Sequence, residues 1–471
     1  MVTKPNNPVA SPKMDSQPKA AAMPDLDGAA TDLPHQDGAP EPLPGAPGAE
    51  QIQPEQIEAV PSEAVPSEAV GMAGSRHLQA GCSAAAKPMP TAQPHGGNLT
   101  AAAAQLGCGP AQLLDASASL VPFGPSLQLR WQLVSAALGL APRIYPDRSL
   151  SALRGAIAAH HGLDPSWVLP GNGAAELFTW AARDAARAGV SVLPVPGFAD
   201  YPRALACWGG AWIPQPLPLH WGESFPQQLP PPPPGAALWL TNPHNPTGQL
   251  WSRQSLEPLL QRYALVICDE AFLPLSLSGA EHQCSAAHQY SGERQSLVPL
   301  LAAHPNLVVI RSLTKLHAIA GLRIGYALAH PDRLRRWAGW RDPWPVNGLA
   351  AAVAEKLIAP GPSQRRWQRR VHRWLAQEGP WLRLALGRLE GLEPLPSATN
   401  FLLVRGVTGD GAPRSLQALR QRLEQRHRIL LRDCRSFEGL DESWLRIGLQ
   451  DRRRHRQLLR ALELAQASTV C

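Results

Sequence analysis

The chain has 471 residues, more than one compact domain usually needs, and 44% of them are hydrophobic against 17% charged, which is enough apolar material for a sizeable core. No run of about 18 consecutive apolar residues occurs, so no transmembrane helix and no membrane partner are expected. The net charge of +7 conceals a division, because residues 1–70 carry −8 and the remainder +15. The acidic segment has no Phe, Trp or Tyr, is crowded with Pro and Ala, and contains the repeat EAVPSEAVPSEAV at 58–70. Such a segment cannot bury enough apolar surface to offset its ordering entropy, and residues 1–85 are expected to be a disordered tail. It lacks the apolar core of a signal peptide, and its acidity does not suit a transit peptide.

In the body, helical spacing of apolar residues predicts helices over 149–161, 174–188 and 348–358. Candidate strands are 236–241, 264–268, 307–311 and 324–329, each a continuous apolar run, as expected for strands buried on both faces of a mostly parallel sheet. The stretch PQQLPPPPPG at 226–235 reads as an extended surface loop. A later block predicts a smaller α/β unit: helix 364–389, strand 400–405, helix 414–426, then strands near 429–432 and 444–449. The fold class is therefore α/β. A large domain at 145–345 is expected beside a smaller one built from an N-terminal arm at 86–144 and a C-terminal segment at 346–471. The densest basic runs are Arg365, Arg366, Arg369, Arg370 and Arg373, then Arg452, Arg453, Arg454 and Arg456. They read as solvated helix faces, and with no nucleic-acid motif beside them no nucleic-acid partner is expected. Seven scattered cysteines, without a C-x-x-C pair, speak against a disulfide framework or a zinc ribbon; a reducing cytoplasm and no metal are expected.

Four signals fall in order at the ends of apolar runs. GNGAAEL at 171–177 opens a helix, and small residues with free N–H groups at a helix start suit a phosphate. TNPHNPTG at 241–248 is a turn that aims Asn242 or Asn245 at a ligand. Asp269 directly follows ALVIC, and a carboxylate at the C-terminal edge of a parallel strand lies where α/β proteins place ligands. Ser312, Thr314 and Lys315 are followed by Arg323 in GLRIG. An anion site, a Schiff-base lysine, a carboxylate for a ring nitrogen and a donor for a ring oxygen are together what pyridoxal 5'-phosphate requires.

In this ordered set the chain resembles the fold-type I pyridoxal-phosphate enzymes of the class I/II aminotransferase family, over about residues 90–460. The resemblance implies a large domain with a mostly parallel central sheet and a smaller α/β domain. It implies that Lys315 is the Schiff-base lysine and Asp269 the partner of the ring nitrogen, the two catalytic residues. It also implies that Asn245 donates to the ring oxygen, that Ser312, Arg323 and the backbone of Ala174 and Ala175 hold the phosphate, and that Phe198 stacks on the ring. Tyr145 matches a tyrosine that reaches the neighbouring subunit's phosphate, which implies a homodimer. Phe272 departs from the family, standing where many members carry a tyrosine.

Two branches of the family are similar to this chain: the threonine-phosphate decarboxylases of cobalamin synthesis and the histidinol-phosphate aminotransferases. The first is favoured by HGGN at 95–98, LLDASASLVPFG at 113–124 and LLRDCRSFEGLDESWLRIGL at 430–449. That likeness implies a small phosphorylated amino acid as substrate, gripped by His95, Gly96, Ser119, Asn245, Arg432 and Arg446. Ser119 and Val121 replace asparagines of the decarboxylases. The reaction turns on which bond to the substrate's α-carbon is held perpendicular to the ring. A carboxylate held in plane leaves C–H to break and gives transamination, whereas a carboxylate turned out of plane leaves as CO2. A third reading, a non-catalytic pyridoxal-phosphate sensor fused to a regulator, lacks the winged-helix pattern such proteins carry.

Overall fold

A computed structural model describes residues 96–219, 222, 224–226, 229–277, 292–359 and 361–467, all within the unit Ala85–Cys471. The segment 1–85 expected to be disordered, and His95, lie outside the described residues.

Twelve strands are laid down among the described residues: β1 (Leu114–Ala116), β2 (Val168–Gly171), β3 (Ser191–Val195), β4 (Trp212–Pro216), β5 (Ala237–Thr241), β6 (Leu265–Asp269), β7 (Leu307–Ser312), β8 (Gly325–Ala329), β9 (Leu392–Pro394), β10 (Phe401–Gly406), β11 (Ile429–Asp433) and β12 (Trp444–Gly448). Seven form a sheet in the order β2-β8-β7-β6-β5-β3-β4. Only β8 runs against the other six, so the sheet is mostly parallel, as expected. Every residue of β5, β6 and β7 is buried. Alternate side chains go to opposite faces: Leu238, Val266, Cys268 and Val309 enter one apolar cluster, and Trp239, Ile267, Val308 and Ile310 another. Each such aliphatic side chain contributes roughly 1.5–3 kcal/mol on burial. Burial on both faces is the cause of the continuous apolar runs.

Three strands of this sheet, β2, β3 and β4, had no sequence expectation, and each contains proline. Proline removes a ladder donor and is confined to edges or to places where pairing has stopped. Here β2 and β4 are the two edges, and β3 pairs with β5 only through Ser191 and Val192, before Pro194 is reached.

The other five strands form a second sheet in the order β1-β11-β12-β10-β9, with only β1 and β11 parallel. Helices Pro362–Leu386, Gln417–His427 and Arg452–Ala467 cover it through Val371, Leu375, Leu382, Leu423, Leu458 and Leu462. The first two differ from the predicted 364–389 and 414–426 by up to three residues at an end. Arg365, Arg366, Arg369, Arg370 and Arg373 face solvent while Trp367 and Val371 are buried, the amphipathic split expected of those basic runs. No described helix is long and apolar enough to cross a membrane.

Candidate active site

The parallel strands deliver their C-terminal ends to one edge of the large sheet, where α/β folds gather ligands. Register aligns the residues there: Gly171 and Ser312 both pair with Gly325, and Thr241 pairs with Asp269.

One end of this edge is built for an anion. The helix Ala174–Ala188 begins at Gly173, whose φ of 78° suits a residue without a side chain, and no side chain caps it. Its first N–H groups are therefore open to a negative group. Arg323 reaches across so closely that a Cβ on Gly173 would fall 2.6 Å from its Nη2. Its Nη1 donates to the Ala320 carbonyl at 3.0 Å, and no described carboxylate lies within ion-pair distance of it. Gly325 is similarly pressed on the start of that helix, with 3.0 Å from a built Cβ to the Ala174 nitrogen. Ser312 Oγ and Thr314 Oγ1 share a 2.8 Å hydrogen bond at the end of β7.

At the middle of the edge Asp269 is 5% exposed. Its Oδ1 accepts from the Ala271 N–H at 2.9 Å and its Oδ2 from the Tyr201 hydroxyl at 2.9 Å. Burial pushes its carboxyl up, against the opposing charge of Lys315, and burial pushes the Lys315 ammonium down, against the charge of Asp269. Lys315 Nζ lies 4.8 Å from the centre of the Phe272 ring. Phe198 lies edge-on to Tyr201, ring centres 5.6 Å apart.

The small sheet brings its own residues. Arg432 and Arg446 are direct cross-strand partners on β11 and β12, 5% and 7% exposed. Arg446 Nη1 donates to Asn245 Oδ1 and its Nη2 to the Ser117 carbonyl at 3.3 Å, while its Nε is buried without a partner among the described residues. Burial, then the charge of Arg432, lowers the Arg446 guanidinium to about 10, still charged at neutral pH. Arg432 donates to Ser436 Oγ and lies over the Phe437 ring. Ser119 Oγ is buried with no partner among the described residues. Gly96 packs on the Ser117 carbonyl, whereas Val121 is simply part of the small sheet's apolar core.

Tyr145 stands apart from these groups. It is 77% exposed and packs on Trp344, with ring centres 4.5 Å apart. Sequence reasoning missed Tyr201 and Thr241, whose hydroxyls share a 2.6 Å hydrogen bond beneath Asp269. The only sequence signal for Tyr201 is its place in PGFADY, three residues after Phe198.

A family model for class I and II aminotransferases matches residues 135–462. The chain belongs to that family. Within it, the chain is 34% identical over 378 residues to a threonine-phosphate decarboxylase of Salmonella typhimurium, covering 78% of this chain and 95% of the relative. It is 32% identical over 297 residues to a histidinol-phosphate aminotransferase of Methylococcus capsulatus, covering 62% and 76%. The crystal structure of an L-threonine-O-3-phosphate decarboxylase from Porphyromonas gingivalis superposes with a TM-score of 0.58 at 27% identity, over 75% of this chain and 99% of that one. As a class I/II aminotransferase relative, the chain uses pyridoxal 5'-phosphate as its cofactor. The residues present fit it: an uncapped helix start with a guanidinium laid against Gly173, and a buried carboxylate sharing its pocket with a lysine.

Proposed function

We propose that the chain decarboxylates L-threonine O-3-phosphate to (R)-1-aminopropan-2-yl phosphate and CO2, a step toward cobalamin. The observation that carries this reading is the cross-strand pair Arg432 and Arg446, two buried arginines facing one another on adjacent inner strands of the small sheet. Two neighbouring guanidinium groups offer several charge-assisted donors together, which suits a phosphate with its several acceptor oxygens. The likeness to threonine-phosphate decarboxylases supports the same choice.

In this reading the backbone of Ala174 and Ala175, with Ser312 and Arg323, holds the cofactor phosphate, and Phe198 stacks on the ring. Asn245 donates to the ring oxygen, and Asp269 keeps a proton on the ring nitrogen. Pyridoxal phosphate, when bound, supplies an electron sink for the pair left at the substrate's α-carbon. Lys315 holds the cofactor and, after CO2 has left, returns a proton to that carbon from Nζ. Arg432 grips the substrate phosphate. Arg446, with Gly96, Ser119 and His95, sets how the carboxylate stands to the ring. On the domain bounds expected from the sequence, cofactor residues would come from 145–345 and most substrate residues from 86–144 and 346–471.

The active form is a homodimer. Leu127, Trp131, Val134 and Leu138 form an exposed apolar stripe on one face of the helix Leu127–Leu138, and Ile144 and Tyr145 are exposed a few residues further along the chain. Cys108, Cys207, Cys268 and Cys434 are free thiols, which suits a reducing cytoplasm.

The deciding experiment offers the purified, cofactor-loaded protein L-threonine O-3-phosphate and measures CO2 release, in parallel with histidinol phosphate plus 2-oxoglutarate measured as glutamate. CO2 from the first is expected. Glutamate from the second without CO2 from the first would make the protein an aminotransferase.

A further inference from the structure

Asp115 touches none of the groups assigned above to cofactor or substrate, yet three chain segments meet through the turn it holds. It lies in β1, and its Oδ1 accepts three hydrogen bonds: from Ser117 N–H at 2.8 Å, Ser117 Oγ at 2.6 Å and Ala118 N–H at 3.2 Å. Those bonds curl the chain sharply where β1 ends. The curl has two consequences. It presents the Ser117 carbonyl to Arg446 Nη2 on β12. Because the Ser117 hydroxyl donates its proton to Asp115, a lone pair on Oγ remains for the Gly97 N–H, which donates to it at 3.1 Å. Ser119, two residues on, has a buried hydroxyl with no partner among the described residues.

The neighbouring glycines show how closely the turn is fitted. A Cβ on Gly96 would fall 2.6 Å from the Ser117 carbonyl oxygen, and one on Gly448 would fall 2.5 Å from the Ala118 carbonyl oxygen. Gln450 fastens β1 from behind, donating from Nε2 to the Asp115 carbonyl at 3.1 Å. Asp115 also supplies a negative charge that favours the charged form of Arg446, set against the neighbouring charge of Arg432.

We infer that Asp115 is a positioning residue for substrate binding, its carboxylate locking the glycine segment at 96–97, the turn at 117–119 and Arg446 into one subsite. The identity of the substrate rests on the decarboxylase reading; the positioning role does not. Cofactor affinity is expected to depend little on Asp115, because the proposed phosphate ligands, Lys315 and Asp269 belong to the large sheet and its loops, and only Asn245 is linked to the Asp115 turn, through Arg446.

The test compares the cofactor-loaded wild type with Asp115→Ala and Asp115→Asn. In Asp115→Ala, KM for L-threonine O-3-phosphate rises about 10- to 100-fold, the size of one charge-assisted hydrogen bond misplaced, while kcat stays within about 3-fold. Asp115→Asn keeps an acceptor oxygen without the charge and falls between the two. Affinity for pyridoxal phosphate, measured by titrating apoprotein to saturation, stays within about 3-fold in both. Hydrogen–deuterium exchange in substrate-free protein rises in peptides covering 96–98 and 116–120 of Asp115→Ala. An unchanged KM, or a KM that rises only together with loss of cofactor affinity and thermal stability, overturns the inference. If Asp115→Ala does not fold, an Asp115→Asn protein with unchanged KM and exchange does so as well. Should the wild type release no CO2 but transaminate histidinol phosphate, the decarboxylase reading fails by itself. The same KM and exchange comparisons, made with histidinol phosphate, then decide the role of Asp115.

Discussion

If Arg432 grips the substrate phosphate as proposed, replacing it by alanine should separate phosphate recognition from everything else in the site. Arg432 is 5% exposed and sits directly opposite Arg446, so its removal takes away a desolvated cation. Hydrogen bonds to a charged group are worth roughly 1.5–3 kcal/mol, which predicts a loss of about 10- to 150-fold in kcat/KM for L-threonine O-3-phosphate. Threonine has no phosphate to hold, and any turnover of it should change less than about 3-fold. A second effect has the opposite sign. The charge of Arg432 is one cause of the lowered Arg446 value, so Arg446 rises above about 10 in the variant and any alkaline fall in substrate affinity moves to higher pH. The assay is steady-state CO2 release with both substrates across neutral to alkaline pH. Equal losses with phosphothreonine and threonine would refute the reasoning, since Arg432 would then not read the phosphate.

Lys315→Ala should lose the visible absorbance of the bound cofactor and all turnover, and borohydride reduction of the wild type followed by peptide mapping should label Lys315 and no other lysine. Tyr201→Phe removes the hydroxyl that donates to Asp269 Oδ2 at 2.9 Å, so cofactor affinity should fall about 10-fold or more, measured by titrating apoprotein with pyridoxal phosphate; an unchanged affinity would leave Tyr201 a packing residue. Trp131→Glu places a charge in the exposed apolar stripe and should shift the protein from dimer to monomer in sedimentation, with its fold intact by circular dichroism. His317 is buried and held neutral, its value pushed down to about 4 from an ordinary 6.5. The unfolded chain therefore takes up a proton between those values that the folded one refuses. Stability falls as pH drops from 6.5 to 4, by at most about 3 kcal/mol from this group, and His317→Gln should flatten that slope in urea titrations.

What could be read from the sequence follows from where burial leaves a mark. β5, β6 and β7 are covered on both faces, so their apolar runs are unbroken and visible. The edge strands β2 and β4 carry prolines that edges tolerate, and nothing in their composition announces a strand. The helix Leu127–Leu138 is apolar on both sides, with Leu129 in the core and Leu127, Trp131, Val134 and Leu138 exposed, so its spacing marks no single buried face. Lys315, Asp269, Asn245 and Arg323 could be nominated from the sequence because each sits in a short local pattern. Tyr201 could not: its partner Asp269 lies 68 residues away, and only the sheet brings them together. Nor could the facing of Arg432 and Arg446 be read, because their register depends on the path of the chain between β11 and β12, which passes through the 3-10 turn Cys434–Ser436.

The hydrogen bond from Arg446 to Asn245 has a consequence for the cofactor side of the pocket. An asparagine amide can turn over and exchange its oxygen for its nitrogen, and nothing intrinsic to the side chain prefers either state. Here a guanidinium from the other sheet claims Oδ1, so the amide's donor end is turned away from it. Arg446 thereby fixes the polarity of a group more than two hundred residues distant in the chain. With Arg446 and Asn245 in the roles proposed, a lesion at Arg446 would not be confined to substrate affinity. It would release the Asn245 amide to present either face, and the colour of the bound cofactor would register that freedom before any substrate arrived.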